Sequence, residues 1–163
     1  MIYLGNVKDY VTSELKQEAE SLFLKTNSHI RNKQTHFQNC INGLCAEVAL
    51  NKFFKLQKNV SEDLYYDSYD ENNKKYEIKT TYKNENWWTL KRSPLSTNYD
   101  YFIQNSEKID YIVLIFIDEK NEMYLKYRAN AKTFKNYVQK SKFNDGTYYN
   151  NERASRNNDL QIF

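Results

Sequence analysis

The sequence predicts a mixed α/β (α+β) domain, and three observations carry that prediction. Helical periodicity fills the first third of the chain, strand-like alternation takes over beyond Ser61, and the run YIVLIF at 111–116 is apolar at every position. A strand apolar on both faces belongs at the centre of a sheet covered on both sides. At 163 residues the chain suits a single domain spanning 1–163. A mean hydropathy of -0.91 would suit a disordered chain, but 15 tyrosines and 9 phenylalanines supply large apolar surfaces that such chains lack. With 3 glycines and 1 proline, asparagine has to make many of the turns.

The N-terminal section reads as helical. Tyr10, Val11, Leu15, Ala19, Leu22 and Phe23 recur at helical spacing from Asp9 to Lys25. A second helix is expected from Asn32 to Phe54, with Phe37, Cys40, Ile41, Leu44 and Val48 on its apolar stripe. Glu47 lies about 60° from Leu44 around that helix, so its carboxylate belongs at the edge of the stripe. Gly43, one turn earlier on the same side, costs roughly 1 kcal/mol relative to Ala and would leave room for another backbone or a ligand. Cys40 and Cys45 point about 140° apart on the helix and read as packed thiols. No signal peptide, no apolar run of membrane-spanning length and no disulfide framework are visible, so a cytoplasmic protein without a membrane partner is expected.

Beyond Ser61, Leu64 to Tyr69 and Tyr76 to Tyr82 read as a hairpin across Asp70 to Lys75, and Trp87 to Arg92 as a further strand. Tyr111 to Asp118 is the strongest strand, Met123 to Tyr127 follows the turn at Glu119 to Glu122, and Ala131 to Lys140 reads as a closing helix. Net charge is only +3. Past Met123, however, Lys126, Arg128, Lys132, Lys135, Lys140, Lys142, Arg153 and Arg156 outweigh Asp145, Glu152 and Asp159, which makes a basic C-terminal third. Such a third is a solvated face or a track for a nucleic-acid backbone. Trp87 and Trp88 would point to opposite sides of a strand, so one belongs to the core. Trp87 with Lys83, Lys91 and Arg92 is placed as a candidate nucleic-acid contact, by stacking and phosphate pairing.

The chemistry concentrates in KKYEIKTTYK, residues 74–83. Glu77 and Lys79 project from one strand face roughly 6 to 7 Å apart, so a carboxylate and an ammonium reach the same small volume. A metal ion held there beside a lysine would suit phosphate-ester hydrolysis: the ion polarises the phosphoryl oxygen, and the lysine orients water or offsets charge. One carboxylate is too few for a hard cation, and the preceding strand offers Asp67 and Asp70. Facing residues of a hairpin have a constant sum of numbers. A three-residue loop gives an even sum and sets Asp67 opposite Glu77 or Lys79; a two-residue turn at Asn72-Asn73 gives an odd sum and aligns Ser68 with Glu77. Asp67 is chosen, because the odd register leaves Asp70 far along the hairpin from Glu77 and supplies no second acid. Asp70 and Glu71 are turn residues. His29, His36, Cys40 and Cys45 match no paired zinc-ligand spacing. No Ser/His/Asp set and no glycine-rich phosphate loop point to other chemistry or to an organic cofactor.

Asp67, then Glu77-Ile78-Lys79 ten residues on, with an upstream helix bearing GLCAEVAL at 43–50, resembles the PD-(D/E)XK nuclease superfamily of restriction-endonuclease-like fold. The resemblance covers Phe37 to Tyr127 and departs at Tyr66, where the name-giving motif has proline. It implies a central mixed sheet flanked by helices and a Mg²⁺-dependent DNA endonuclease, in which Mn²⁺ can replace Mg²⁺. It further implies that Asp67 and Glu77 bind the ion with the Ile78 carbonyl and the helix acid Glu47, while Lys79 positions the attacking water. So small a domain has little surface for reading sequence, which suits a homodimer cutting both strands and equally a nickase, a structure-specific resolvase or a site-specific enzyme. The alternative is a noncatalytic module of the same fold that binds nucleic acid or protein. Nothing in the sequence reads a 2′-hydroxyl, so it does not separate DNA from RNA.

Overall fold

The computed structural model describes residues 1–26, 32–61, 65–82, 89–90, 106–140 and 147–163. Along them run β1 (Ile2–Asn6), α1 (Ser13–Thr26), α2 (Lys33–Phe54), β2 (Gln57–Lys58), β3 (Ser68–Tyr69), β4 (Lys75–Thr81), β5 (Thr89–Leu90), β6 (Tyr111–Ile117), β7 (Glu122–Asn130), β8 (Val138–Lys140), β9 (Thr147–Tyr149), α3 (Asn151–Arg156) and β10 (Leu160–Ile162). Among these residues the main sheet has the order β1-β7-β6-β4-β3-β2, and β10 lies end to end with β1 along the outer edge of β7. It is a mixed sheet: β4 and β6 run parallel, while the other described pairings within it are antiparallel.

Both faces of β6 are covered, as its unbroken apolar run requires. On one face Tyr76, Ile78, Val113, Ile115, Ile117, Met123 and Leu125 pack with Leu15 and Ala19 of α1 and with Ile41, Leu44, Cys45 and Leu50 of α2. On the other, Ile112, Leu114, Tyr127, Ala129 and Leu160 pack with Phe134, Tyr137, Tyr149 and Ala154 from the C-terminal segment. There β5, β9 and β8 form a second, smaller sheet. Leu125 and Tyr127 serve opposite faces although they are two residues apart. The cause is a bulge: Leu114 pairs with Tyr127 but Ile115 with Leu125, leaving Lys126 as the extra residue.

Four expectations need correction. The chain opens with a strand rather than with helix, and Tyr10 closes it by donating from its hydroxyl to the Leu4 carbonyl at 2.5 Å. Gly5 makes this possible, because its φ of 119° is open to glycine and a Cβ there would lie 2.8 Å from the Tyr10 ring. Helix α1 starts only at Ser13, with the Thr12 hydroxyl accepting from the Leu15 N–H. Residues 131–140 are not a helix but a 3-10 turn, Phe134–Tyr137, running into β8. Pairing of β8 with β9 and burial of Phe134 and Tyr137 outweigh the local pattern. Val48 is 43% exposed, because the buried face of α2 is centred on Cys45, Ala46, Ala49 and Leu50. Finally, no described atom approaches a Cβ built on Gly43 within 4 Å, so that glycine opens space rather than admitting a neighbouring backbone. No helix among the described residues is long and apolar enough to cross a membrane.

Candidate metal centre

The hairpin sets the site. Ser68 pairs with Tyr76 and Tyr69 with Lys75, an even sum of 144, which places Asp67 opposite Glu77. The loop holds three residues, Glu71 to Asn73, between the bonded pair Asp70 and Lys74. Asn73 takes a φ of 59°, the left-handed position that a three-residue loop demands and asparagine tolerates. The Asp70 carboxylate accepts from the N–H groups of Asn72 and Lys74, each at 2.9 Å. Asp70 is therefore a turn residue.

Regular pairing ends at Ser68, and what replaces it holds Asp67. The ladder would next offer the Ile78 N–H a backbone carbonyl from the partner strand. Instead, Ile78 donates to Asp67 Oδ2 at 2.6 Å, and the Asp67 N–H turns back to the Tyr76 carbonyl at 2.8 Å. From the other side Asn59 braces the bend, its N–H donating to the Asp67 carbonyl and its side chain to the Tyr66 carbonyl. In an extended strand the N–H and C=O of one residue leave the same edge, so the Ile78 carbonyl opens toward Asp67 as well.

Glu77 and Lys79 alternate with the buried Tyr76 and Ile78, which puts them on the face of β4 away from the helices. Lys79 Nζ is paired with Glu77 Oε1. Glu77 is 12% exposed and Lys79 49%, so the acid lies at the back of the site and the ammonium at its mouth. The second oxygen of Glu77 is different: Oε2 is buried and has no donor. Asp67 lies within hydrogen-bonding reach of Glu77, a contact that holds only when one of the two carboxyls carries a proton.

Electrostatics join Glu47 to this pair. Burial first, then the Asp67 charge, pushes the Glu47 carboxyl up to about 8 against the pull of Lys58. Burial pushes Glu77 up to about 7, with Asp67 adding to it and Lys79 opposing it. Burial also raises Asp67, despite Lys79, the Ile78 N–H and Lys58. For Lys79 burial acts downward, but Glu77, Asp67 and Glu47 outweigh it, and the group stays a cation. Three acids thus crowd a site whose cations do not neutralise them.

Among the described residues no three His, Cys, Asp or Glu side chains lie close enough to hold an ion as they stand. The donor set still suits a hard divalent cation: carboxylate oxygens, one of them buried without a partner, beside a backbone carbonyl. Two residues absent from the sequence reading belong to the surroundings. Lys58 on β2 is ion-paired with Glu18 on α1, and both act on Glu47. They stand 40 residues apart on exposed surfaces, and no local pattern marks them.

The other nucleic-acid candidates fare differently. Lys83, Trp87, Lys91, Arg92 and Lys142 lie outside the described residues, as do His29 and most of the Trp87 to Arg92 strand, of which Thr89–Leu90 is β5. Several described cations of the basic C-terminal third make contacts within the molecule, most of them at its surface. Lys126 is 4% exposed, Arg128 lies 4.9 Å from the Tyr111 ring centroid and 5.5 Å from that of Phe54, and Lys132, Lys135 and Arg156 are ion-paired with Asp110, Glu107 and Glu152. Cys40 and Cys45 are both buried free thiols. No protein-family model matches the chain, and no curated protein matches it.

Proposed function

We propose that the chain is a Mg²⁺-dependent nuclease of restriction-endonuclease-like fold, hydrolysing phosphodiester bonds in DNA at the corner where β3 leaves β4. The observation that carries this reading is Glu77 Oε2, a buried acceptor with no donor, facing Asp67 and within the field of Glu47. Asp67, Glu77, Glu47 and the Ile78 carbonyl would hold the ion, which supplies Lewis acidity toward a phosphoryl oxygen; Mn²⁺ would serve as well.

The protein groups divide the remaining work. Ile78 locks the Asp67 carboxylate through its N–H, so this ligand is oriented before the ion arrives. Lys79 is held as a cation by its acidic neighbours and therefore donates hydrogen bonds rather than taking protons. At the mouth of the site it orients water and offsets the charge that builds on the phosphoryl group.

The test is incubation with supercoiled plasmid, linear duplex and branched DNA, with and without Mg²⁺, followed by mapping of the ends. Metal-dependent cutting is expected, and Lys79→Ala should abolish it while leaving the fold and DNA affinity in place. Full activity in that variant would sink the site assignment. A noncatalytic module of the same fold predicts instead that calorimetry finds no Mn²⁺ binding that is lost in Asp67→Asn.

A further inference from the structure

Toward the N-terminal half of α2 the acid corner continues into a slot bounded by neutral groups. Two contacts fix how α2 lies against β4: the Phe54 ring is 6.3 Å from that of Tyr76, and the Asn42 side chain meets Tyr82, just past the end of β4. Helix and strand therefore run antiparallel, and their spans agree, since helical residues 42–54 cover about 18 Å and strand residues 76–82 about 20 Å. On that scale Glu47 lies level with Lys79 and Thr80, and Gly43 with Thr81 and Tyr82. Between Cys40 and Glu47, only Gly43 and Glu47 are not buried, and no described atom comes within 4 Å of a Cβ built on Gly43. The two residues share one side of α2, about 6 Å apart along its axis, close to the separation of neighbouring phosphates along a nucleic-acid strand. Gly43 has neither a positive φ nor a described neighbour that requires it, so open space is what it provides.

Tyr82 stands beside this slot with an unused donor. Gln38 Nε2 donates to Asn42 Oδ1 at 2.8 Å, and Asn42 Nδ2 donates to the Tyr82 hydroxyl at 3.1 Å. Asn42 is 3% exposed, so this relay is built into the packing of α2 and holds the Tyr82 ring from behind. Having accepted from Asn42, the Tyr82 hydroxyl keeps its own hydrogen, which no acceptor among the described residues takes. Burial pushes the phenol up against the pull of the Asn42 amide, so the hydroxyl stays protonated. The Tyr82 side chain is nevertheless 45% exposed. A tyrosine fixed in this way presents one neutral O–H to an acceptor arriving from outside.

We infer that Tyr82 and the slot at Gly43 form the subsite for the phosphate next to the bond being cut, with the Tyr82 hydroxyl donating to a phosphate oxygen and Gly43 letting the strand's backbone pass close to α2. The inference rests on the nuclease reading and adds a direction to it: the strand leaves the acid corner along α2 toward the N-terminal end of that helix. Such a contact positions the strand without reading its sequence. Because the donor is neutral, it adds affinity without displacing counterions, and its loss leaves the salt dependence of binding unchanged.

The experiment compares wild type with Tyr82→Phe, Gly43→Ala and Gly43→Met on fluorescein-labelled DNA duplexes of two unrelated sequences. Turnover is measured with Mg²⁺, binding by anisotropy at several salt concentrations in a Lys79→Ala background, and folding by urea titration. Tyr82→Phe keeps the ring and removes the O–H; it should raise KM and Kd on the order of tenfold on both sequences, with kcat within about threefold and the log-log salt slope unchanged. Gly43→Met should raise KM and Kd at least as much while unfolding at equal or higher urea, since methionine is the better helix former, and Gly43→Ala should show the smaller loss of affinity. If wild type cuts but Tyr82→Phe and Gly43→Met both keep its KM and Kd, the subsite falls and the nuclease reading stands. If wild type binds without cutting, the nuclease reading falls, and unchanged Kd in both variants takes the subsite with it. If wild type neither cuts nor binds, both fall.

Discussion

Two acids near the start of the parallel β4–β6 pair have similar exposure and opposite character. Asp110, just ahead of β6, is 19% exposed, and Glu77, on β4, is 12% exposed. Burial pushes the Asp110 carboxyl up, yet the group ends below its ordinary range, because the Lys75 N–H and the Lys74 and Lys132 ammonium groups more than compensate. Burial pushes Glu77 up too, and there the one lysine beside it does not make up for burial and the Asp67 charge together. Depth alone therefore does not mark a site. What distinguishes the Glu77 corner is incomplete compensation: three acids, a cation at the mouth and an oxygen without a donor. Left as it stands, such a corner destabilises the fold, and a divalent cation bound as proposed would supply the missing charge.

The sharpest way to break this contrast is to neutralise each acid in turn. Glu77→Gln should cut Mg²⁺-dependent cleavage by on the order of 10³-fold, because it removes a ligand and the partner that holds Lys79. Asp110→Asn should leave cleavage within about twofold. On stability the order reverses. Asp110→Asn gives up charge-assisted bonds to Lys74 and Lys132 and should cost about 1 to 2 kcal/mol in urea unfolding. Asp67→Asn keeps an oxygen for the Ile78 N–H and removes a repulsive charge, so it should unfold at equal or higher urea. Loss of cleavage in Asp110→Asn with cleavage retained in Glu77→Gln would reverse the assignment of the two corners.

Titration separates the same two corners at a somewhat smaller scale. Glu47 and Glu77 have folded-state pKa values of about 8 and about 7, above the values of an unfolded chain. The folded protein then binds more protons than the unfolded one, and metal-free stability falls as pH rises from about 4.5 to about 8. Asp110 acts in the opposite sense: its contribution is present above its unfolded value and is lost as pH falls through the folded one. Thermal melts in a chelating buffer should show the melting temperature dropping on the order of 5 °C across the upper window, and Glu47→Gln should flatten that drop. Saturating Mg²⁺ or Mn²⁺ at pH 8 should recover it in wild type and in Asp110→Asn, but not in Asp67→Asn. A metal-free melting temperature that rises with pH over that window would contradict the crowding of acids.

How much of this was legible depended on whether the signal was local. Helix α2, the β3–β4 hairpin and β6 announce themselves through periodicity, and the pairing of Asp67 with Glu77 follows from the parity of a three-residue loop. The choice between parities turned on Asn72: a two-residue turn needs a positive φ at both Asn72 and Asn73, and of the two only Asn73 takes one. Strands β1 and β10 are short, and each is held by docking onto β7, which no window around Ile2 or Leu160 contains. The segment from Ala131 to Lys140 was misread because Phe134, Tyr137 and Val138 mimic a helical stripe while serving a turn and a strand. The basic C-terminal third is a related case: a count of charges does not show that Lys132 answers Asp110 or that Lys126 is buried at a bulge. Lys58 and Glu18 became visible only when α1 and β2 were brought together.

The smallest predicted effect concerns the residue that sets the register. Asn73 pays the modest strain of a positive φ, and glycine there would not, so Asn73→Gly should be neutral or stabilise by a few tenths of a kcal/mol. Asn73→Ala places a Cβ in the left-handed region without the local hydrogen bonding that asparagine offers, and should cost about 1 kcal/mol. Both variants keep the loop length, and with it the pairing of Ser68 with Tyr76 that presents Asp67 to Ile78. Mg²⁺-dependent cleavage should therefore track the folded fraction in both. A variant that stays folded by circular dichroism but loses cleavage would mean that the hairpin register shifts more easily than the loop geometry allows, and that the Asp67–Glu77 pairing depends on Asn73 itself.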